Sequence, residues 1–195
     1  MKILIDNGHG IDTKVKRSPD GLLQEWAWNR EVAALIVASL KDNGLDASLL
    51  VQETRDVSLY ERVRRVNCEC KRLGASNVVI VSIHVNAAGG DGKWHTARGF
   101  LPYVAPNAGQ GSRRLARFLY EEVAEKRGLK GNRWISKDKY AVKSLAMCRE
   151  TMCAAVLTEN LYMDNREDCA YLLTDEGKAT IVEGHVAAIR RWLNV

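Results

Sequence analysis

Histidine is scarce in this chain of 195 residues, which has only His9, His84, His95 and His185. Long apolar runs are missing altogether. None approaches the roughly 18 residues of a membrane span, which excludes a helical membrane protein. Met1-Lys2 leads at once into a strand-like run with no small-residue cleavage site, so no signal peptide is expected and synthesis in the cytoplasm is. Repeats, low-complexity tracts and linkers are also absent, and residues 1–195 read as one domain able to bury a full core without staples. The five cysteines (Cys68, Cys70, Cys148, Cys153 and Cys169) are odd in number and lack framework spacing, as reduced thiols do. Cys68 and Cys70 fall two apart in a helical pattern, so they point apart and cannot chelate one ion together.

The formal charge is +5, with basic residues scattered through Lys14-Val15-Lys16-Arg17, Arg62 to Arg65, Arg113-Arg114 and Lys137 to Lys139. A modest basic excess favours polyanions: nucleic acid, a phospholipid surface or an acidic wall polymer. No stretch interleaves these charges with aromatics as a nucleic-acid binder would, so they read as solvated helix faces and no nucleic-acid partner is expected.

What is present is an alternation of strand and helix. Apolar, β-branched runs predict strands at about 2–6, 46–51, 78–83 and 99–104, with a last short one over Ala154–Thr158. Pro102 cannot donate a ladder hydrogen bond and makes the fourth strand peripheral or bulged. Helical spacing of Trp28, Val32, Leu35, Ile36 and Leu40 predicts a helix over 27–42, stopped by Asn43-Gly44. A second helix opens with the capping box Ser58-Leu59-Tyr60-Glu61, buries Leu59, Val63, Val66 and Cys70, and ends near Gly74. A third, over 111–127, buries Leu115, Phe118, Leu119 and Val123. The last, over 175–193, opens with Asp175 and Glu176 at its positive end. Residues 129–143 are basic and aperiodic, like a binding loop. The expected fold is α/β, a single-domain three-layer arrangement with a largely parallel twisted central sheet flanked by helices.

Two of the four histidines close apolar runs, in Ile3-Leu4-Ile5-Asp6-Asn7-Gly8-His9-Gly10 and Val78-Val79-Ile80-Val81-Ser82-Ile83-His84. A buried strand that delivers an imidazole at its C-terminal end places it where α/β folds bind ligands. Two imidazoles at one sheet edge point to a metal, and Glu25 and Glu159 are placed to complete the site. Neutral imidazoles and one carboxylate bind zinc at about 2.0–2.1 Å and leave an open position, the arrangement of catalytic rather than structural sites. A second carboxylate outside the ligand set would then serve as base.

The ordered set of motifs resembles a known family. Asp6-Asn7-Gly8-His9-Gly10, Leu23-Gln24-Glu25, Thr54-Arg55-Asp56, Leu59-Tyr60-Glu61-Arg62, Ser82-Ile83-His84-Val85-Asn86-Ala87 and Val156-Leu157-Thr158-Glu159-Asn160 are similar to those of the zinc-dependent N-acetylmuramoyl-L-alanine amidases of the amidase-3 group. This group includes bacterial cell-division and sporulation hydrolases and phage endolysins. The resemblance implies hydrolysis of the amide joining N-acetylmuramic acid to L-alanine of the stem peptide in peptidoglycan. It implies zinc on His9, Glu25 and His84, with Glu159 as the catalytic carboxylate. The chain departs from the family pattern at Asn7, where a proline is usual, at Ile11, where a glycine is usual, and at Asn160-Leu161-Tyr162 after Glu159.

The remaining candidates divide between binding and structure. Asn86 would fix the ligand shell or bind substrate, and Arg55 would bind a carboxylate or stitch the sheet. His95 reads as a surface residue or a substrate contact, and His185 as a structural histidine beside Val182, Val186, Ile189 and Leu193. Arg133, Lys137 and Lys139 offer the stem peptide's carboxylates a basic surface. A monomeric phage or prophage lysin acting on the cell wall is expected, or an exported amidase whose leader was removed. The alternative, a non-catalytic wall-binding module on the same fold, has no need of all four site residues.

Overall fold

Six strands form one sheet in the computed structural model, which describes residues 1–195. They are β1 (Lys2–Asn7), β2 (Asp46–Leu49), β3 (Val78–Asn86), β4 (Leu101–Val104), β5 (Ala141–Val142) and β6 (Ala154–Tyr162), in the order β2-β1-β3-β6-β4-β5. The first four of that order are mutually parallel, β4 runs antiparallel to β6, and β5 lies parallel to β4. Six α-helices accompany them: α1 (Glu25–Asp42), α2 (Leu59–Leu73), α3 (Gln110–Leu119), α4 (Ala146–Arg149), α5 (Arg166–Leu172) and α6 (Asp175–Leu193). The expected α/β class, with helices on a mostly parallel sheet, is the one observed.

Successive strand residues point to opposite faces, and this alternation divides the core into layers. Ile3, Ile5, Val79, Val81 and Ile83 pack with α1, α3 and α6 in the larger layer. Leu4, Val78 and Ile80 meet Val63, Val66 and Cys70 of α2 on the other face. β1 has β2 on one side and β3 on the other, so the chain reverses its winding direction between β1 and β3. The carboxyl ends of strands at such a switch point leave a crevice for ligands.

Several expectations need correction. Leu59 is 57% exposed and Leu35 43%, while Arg62, beside Val63, is the large side chain that α2 buries. Ser58 Oγ does accept from Glu61 N, but the Glu61 carboxylate turns to Arg64 and Arg65 rather than back to the cap, so the capping box is half-formed. The expected third helix is α3 followed by a π-helical stretch, Tyr120–Glu125, and Phe118 is only partly buried. α1 begins at Glu25, two residues early, and β2 stops at Leu49, while α5 was not anticipated. Both β3 and β6 extend beyond their apolar runs, so His84 and Glu159 lie within strands rather than after them. Pro102 pairs with Thr158 of β6 on one side, and β5 begins its pairing only at Tyr103, so its missing N–H disturbs no second ladder.

Candidate metal centre

His9 follows β1 in a turn that three side chains hold by its carbonyls. Arg62 Nη1 donates to Asn7 O at 2.9 Å, Asn29 Nδ2 to Gly8 O at 3.1 Å, and Arg30 Nη1 to His9 O at 2.8 Å. His9 itself has φ 64°, the left-handed region that histidine enters more readily than most non-glycine residues. Gly8 is required here for space rather than for flexibility. A Cβ at this position would stand 2.1 Å from His84 Cε1.

Glu25 opens α1 and is 2% exposed. Its N–H donates to Lys16 O at 3.0 Å, and its Oε1 accepts from Val85 N at 3.1 Å. The same oxygen lies 3.1 Å from His84 Nδ1 and 3.4 Å from His9 Nε2. The two imidazoles stand edge to face with centroids 5.0 Å apart. One donor atom each from His9, Glu25 and His84 thus falls within 4.8 Å of the others. Burial works against the Glu25 charge, but hydrogen bonds to His84 and His9 outweigh it and hold the carboxyl well below its usual range. Burial likewise disfavours charge on His84, and the Glu25 carboxylate reverses that, raising its pKa. Two imidazole nitrogens and an ionised carboxylate are the donor set of an open zinc site, and these residues fit one.

Glu159 sits directly opposite His84 in the β3–β6 ladder. The ladder then shifts, so that Asn86 rather than Val85 pairs next, with Tyr162. Asn160 is fully buried at this bulge and donates from Nδ2 to His84 O at 2.9 Å, while Leu161 takes φ 63°. Bulges of this kind redirect side chains beside functional sites. The Glu159 Oε2 atom is buried and has no hydrogen-bond partner. Burial pushes its carboxyl up to about 7, helped by the nearby Glu25 charge and opposed by His84, Lys16 and Lys143. It is therefore a carboxylate poised to take or give a proton near neutrality. A cleft of about 340 Å³ brings His9, His84 and Glu159 to a common space, with Leu59, Met147 and Leu157 among its walls.

The reading of the sequence missed the charged support beneath this turn. Arg62, 2% exposed, pairs with Asp6 Oδ1 at 2.5 Å and Asp56 Oδ1 at 2.9 Å, and also donates to His9 O. Ser82 Oγ donates to the other oxygen of Asp6. The available signal was position. Arg62 shares the inward face of α2 with Val66, one turn on, where an arginine demands buried partners.

Other candidates fall elsewhere. Asn86 ends β3, with its Oδ1 accepting from Ala87 N at 2.9 Å. Arg55 is exposed and forms no part of the sheet; its backbone lies against Gly10. His95 bonds Asp91 through Nε2 at 2.9 Å and accepts no role in the ladder. His185 is fully buried between Ile181 O and Thr158 Oγ1, as a structural histidine should be. Lys139 corrects the expected basic surface, because it is tied to Glu121 at 2.9 Å and Glu125 at 2.8 Å. The cysteines are all free, with Cys68 exposed and Cys70 buried.

Comparison with known proteins gives a consistent picture. Residues 3–191 match the profile of the family described as N-acetylmuramoyl-L-alanine amidase. An endolysin of Bacillus phage SPP1 is 30% identical over 149 residues, which is 74% of this chain and 50% of the endolysin. The N-acetylmuramoyl-L-alanine amidase CwlM of Bacillus licheniformis is 30% identical over 197 residues, 100% of this chain and 70% of CwlM. The chain thus spans half the length of the phage relative. Among solved structures, the catalytic domain of CwlV from Bacillus (Paenibacillus) polymyxa var. colistinus superposes with a TM-score of 0.81 at 24% identity, covering 100% of this chain and 99% of that one. An N-acetylmuramoyl-L-alanine amidase from Clostridium difficile 630 gives 0.81 at 23%, covering 99% and 96%. At these identities the two structures share the fold.

Proposed function

The chain belongs to the N-acetylmuramoyl-L-alanine amidase family, and from that premise we propose that residues 1–195 act as a peptidoglycan amidase domain. It cleaves the amide between the lactyl group of N-acetylmuramic acid and L-alanine of the stem peptide. His9, Glu25 and His84 hold a zinc ion, and Glu159 is the catalytic carboxylate. The observation that carries this reading is the convergence of three metal donors within 4.8 Å beside a buried carboxylate oxygen with no partner.

When bound, zinc supplies positive charge that acidifies water and polarises a carbonyl oxygen. The chain's own residues do the rest. Arg62, Asn29 and Arg30 fix the His9 turn, so the imidazole needs no reordering to serve as a ligand. Glu25, held ionised, offsets part of the ion's charge. Glu159 accepts the proton of the attacking water at its carboxylate and passes it to the departing L-alanine nitrogen, a role suited to a carboxyl whose charge burial disfavours. Burial of Glu25 keeps bulk water from competing for its hydrogen bonds to His84 and Val85 N. Asn86 and Arg55 are assigned to substrate binding, Asn86 at the end of the strand that carries His84. The domain acts on the cell wall as a monomer, and no helix is long and apolar enough to cross a membrane.

Purified peptidoglycan is the test substrate. Digestion should release peptides with a new L-alanine amino terminus, and no new reducing sugar ends. Metal analysis should find about one zinc per chain, with activity lost to chelators. New reducing ends would mean glycosidase chemistry, and binding without product would mean a wall-binding module.

A further inference from the structure

A second cleft, of about 430 Å³, shares no lining residue with the first, but its walls lead into the segments that carry the candidate ligands. One wall is the loop between β1 and α1, with Lys16 and Arg17. The other is the loop after β3, with Gly89, Gly90 and Lys93. Both walls are continuous with the metal centre. The Lys16 carbonyl accepts the Glu25 N–H, and Ala87, which also lines the cleft, follows His84 by three residues.

The cations here are exposed, and none of the three forms an ion pair. Elsewhere on the surface Arg64, Arg65 and Lys139 are each matched to carboxylates. The acids of this region are engaged by backbone instead. Asp164 Oδ2 accepts from Ala88 N at 2.7 Å and Gly89 N at 3.0 Å, while Asp91 Oδ1 accepts from Lys93 N at 3.2 Å and meets His95. Three cations against the single lining carboxylate of Asp164 leave a concave polar surface with a net positive charge, the field that concentrates anionic ligands. The first cleft differs, with Leu59, Ala146, Met147 and Leu157 contributing apolar wall.

The amide to be cleaved joins two unlike halves. On one side is an uncharged N-acetylated sugar, and on the other an acidic peptide with free carboxylates. Resting on the amidase reading above, we propose that the Lys16–Arg17–Lys93 cleft is the stem-peptide subsite and thereby sets the direction in which substrate crosses the metal centre. The carboxylates beyond L-alanine lie against these cations, and the muramoyl sugar lies over the apolar cleft at Leu59 and Met147. In the 129–143 segment Lys130 and Lys139 are already paired with Glu121 and Glu125, whereas Arg133 and Lys137 form no ion pair.

Calorimetric titration tests this without requiring turnover. The probes are L-Ala-D-Glu-L-Lys with free carboxylates, the same peptide with every carboxylate amidated, a glutamate-rich peptide of unrelated sequence, and inorganic phosphate. The free-acid stem peptide should bind the wild type and bind Arg17→Gln/Lys93→Gln about tenfold or more weakly, as expected for lost charge-assisted hydrogen bonds. Arg17→Lys/Lys93→Arg should restore binding, and the amidated peptide should not distinguish the proteins. Equal binding of the free-acid peptide to wild type and double variant overturns the assignment, as does equally tight binding of phosphate or the unrelated peptide. On a soluble muramoyl peptide the double variant should raise KM and leave kcat within about twofold, the signature of uniform binding. Peptide binding with this charge dependence but no new L-alanine terminus refutes the amidase reading and leaves the subsite standing. Cleavage with an unchanged KM in the double variant refutes the subsite alone.

Discussion

His84 and Glu159 are register partners on adjacent parallel strands, so their side chains leave the same face of the sheet side by side. The ladder that buries Val81 and Val156 therefore also fixes the spacing between a candidate metal ligand and a candidate base. The bulge that follows, with Asn160 bonded to His84 O, ends this pairing just beyond the site. Sites built on strands hold their geometry better than sites on loops.

The two carboxylates should separate cleanly by substitution. Glu159→Gln keeps size and burial but removes the proton acceptor, so zinc should stay while turnover falls by roughly 10²–10⁴. Glu25→Gln should instead release zinc, since it removes the ionised member of the donor set. Metal content and kcat measured on both variants check this, and the opposite pattern would exchange the two roles.

Gly8 gives a test of positioning. The methyl of Gly8→Ala would have to occupy space 2.1 Å from the His84 ring, and backbone pinned by Asn29 cannot retreat freely. Zinc affinity should drop about tenfold or more, as when groups that orient ligands are disturbed. A competition titration with a chromogenic chelator reads this directly, and unchanged affinity would mean that the His84 ring moves without consequence.

Much of this architecture was legible in the sequence, for identifiable reasons. The β-branched runs before His9 and His84, and the helical period of residues 175–193, are local patterns, and α6 occupies that range. Glu159 was expected to follow its strand because polar Glu159 and Asn160 interrupt the apolar run. The strand continues because Asn160 finds buried partners in His84 O and Thr158, which only the folded sheet provides. Arg62 escaped for a similar reason: its partners Asp6 and Asp56 lie on other segments, and a stripe of apolar residues does not reveal them. Lys139 reads from the sequence as part of a basic surface for substrate carboxylates, yet Glu121 and Glu125 reach it from the π-helical stretch after α3.

Arg62 should matter to stability as well as to the His9 turn. Removing one member of a buried ion pair leaves the other charged and unpaired, at about 3–5 kcal/mol. Arg62→Met should therefore lower the denaturation midpoint by that equivalent and leave Asp6 without its partner. Asp6→Asn in the Arg62→Met background should recover part of the loss, because it removes the stranded charge. Urea unfolding of the two variants supplies the comparison, and a loss under 1 kcal/mol for Arg62→Met would show the pair to be dispensable.

His185 predicts how stability responds to acid. Burial keeps the imidazole neutral and lowers its pKa to about 4, with Ile181 O accepting from the ring and opposing the shift only in part. The unfolded chain takes up a proton near 6.5, so between about 6.5 and 4 the unfolded state binds one more proton than the folded state. Stability from this group is complete above 6.5 and declines as pH falls through that window, by roughly 3 kcal/mol in all. A His185→Gln variant carries no such titration. It should begin less stable at pH 7.5, because it disturbs a buried bond to Thr158, yet lose less on acidification. Unfolding midpoints at closely spaced pH values for both proteins measure the difference in slope. Parallel curves between pH 6.5 and 4 would show that His185 is protonated in the folded state and that its burial is less complete than its full enclosure implies.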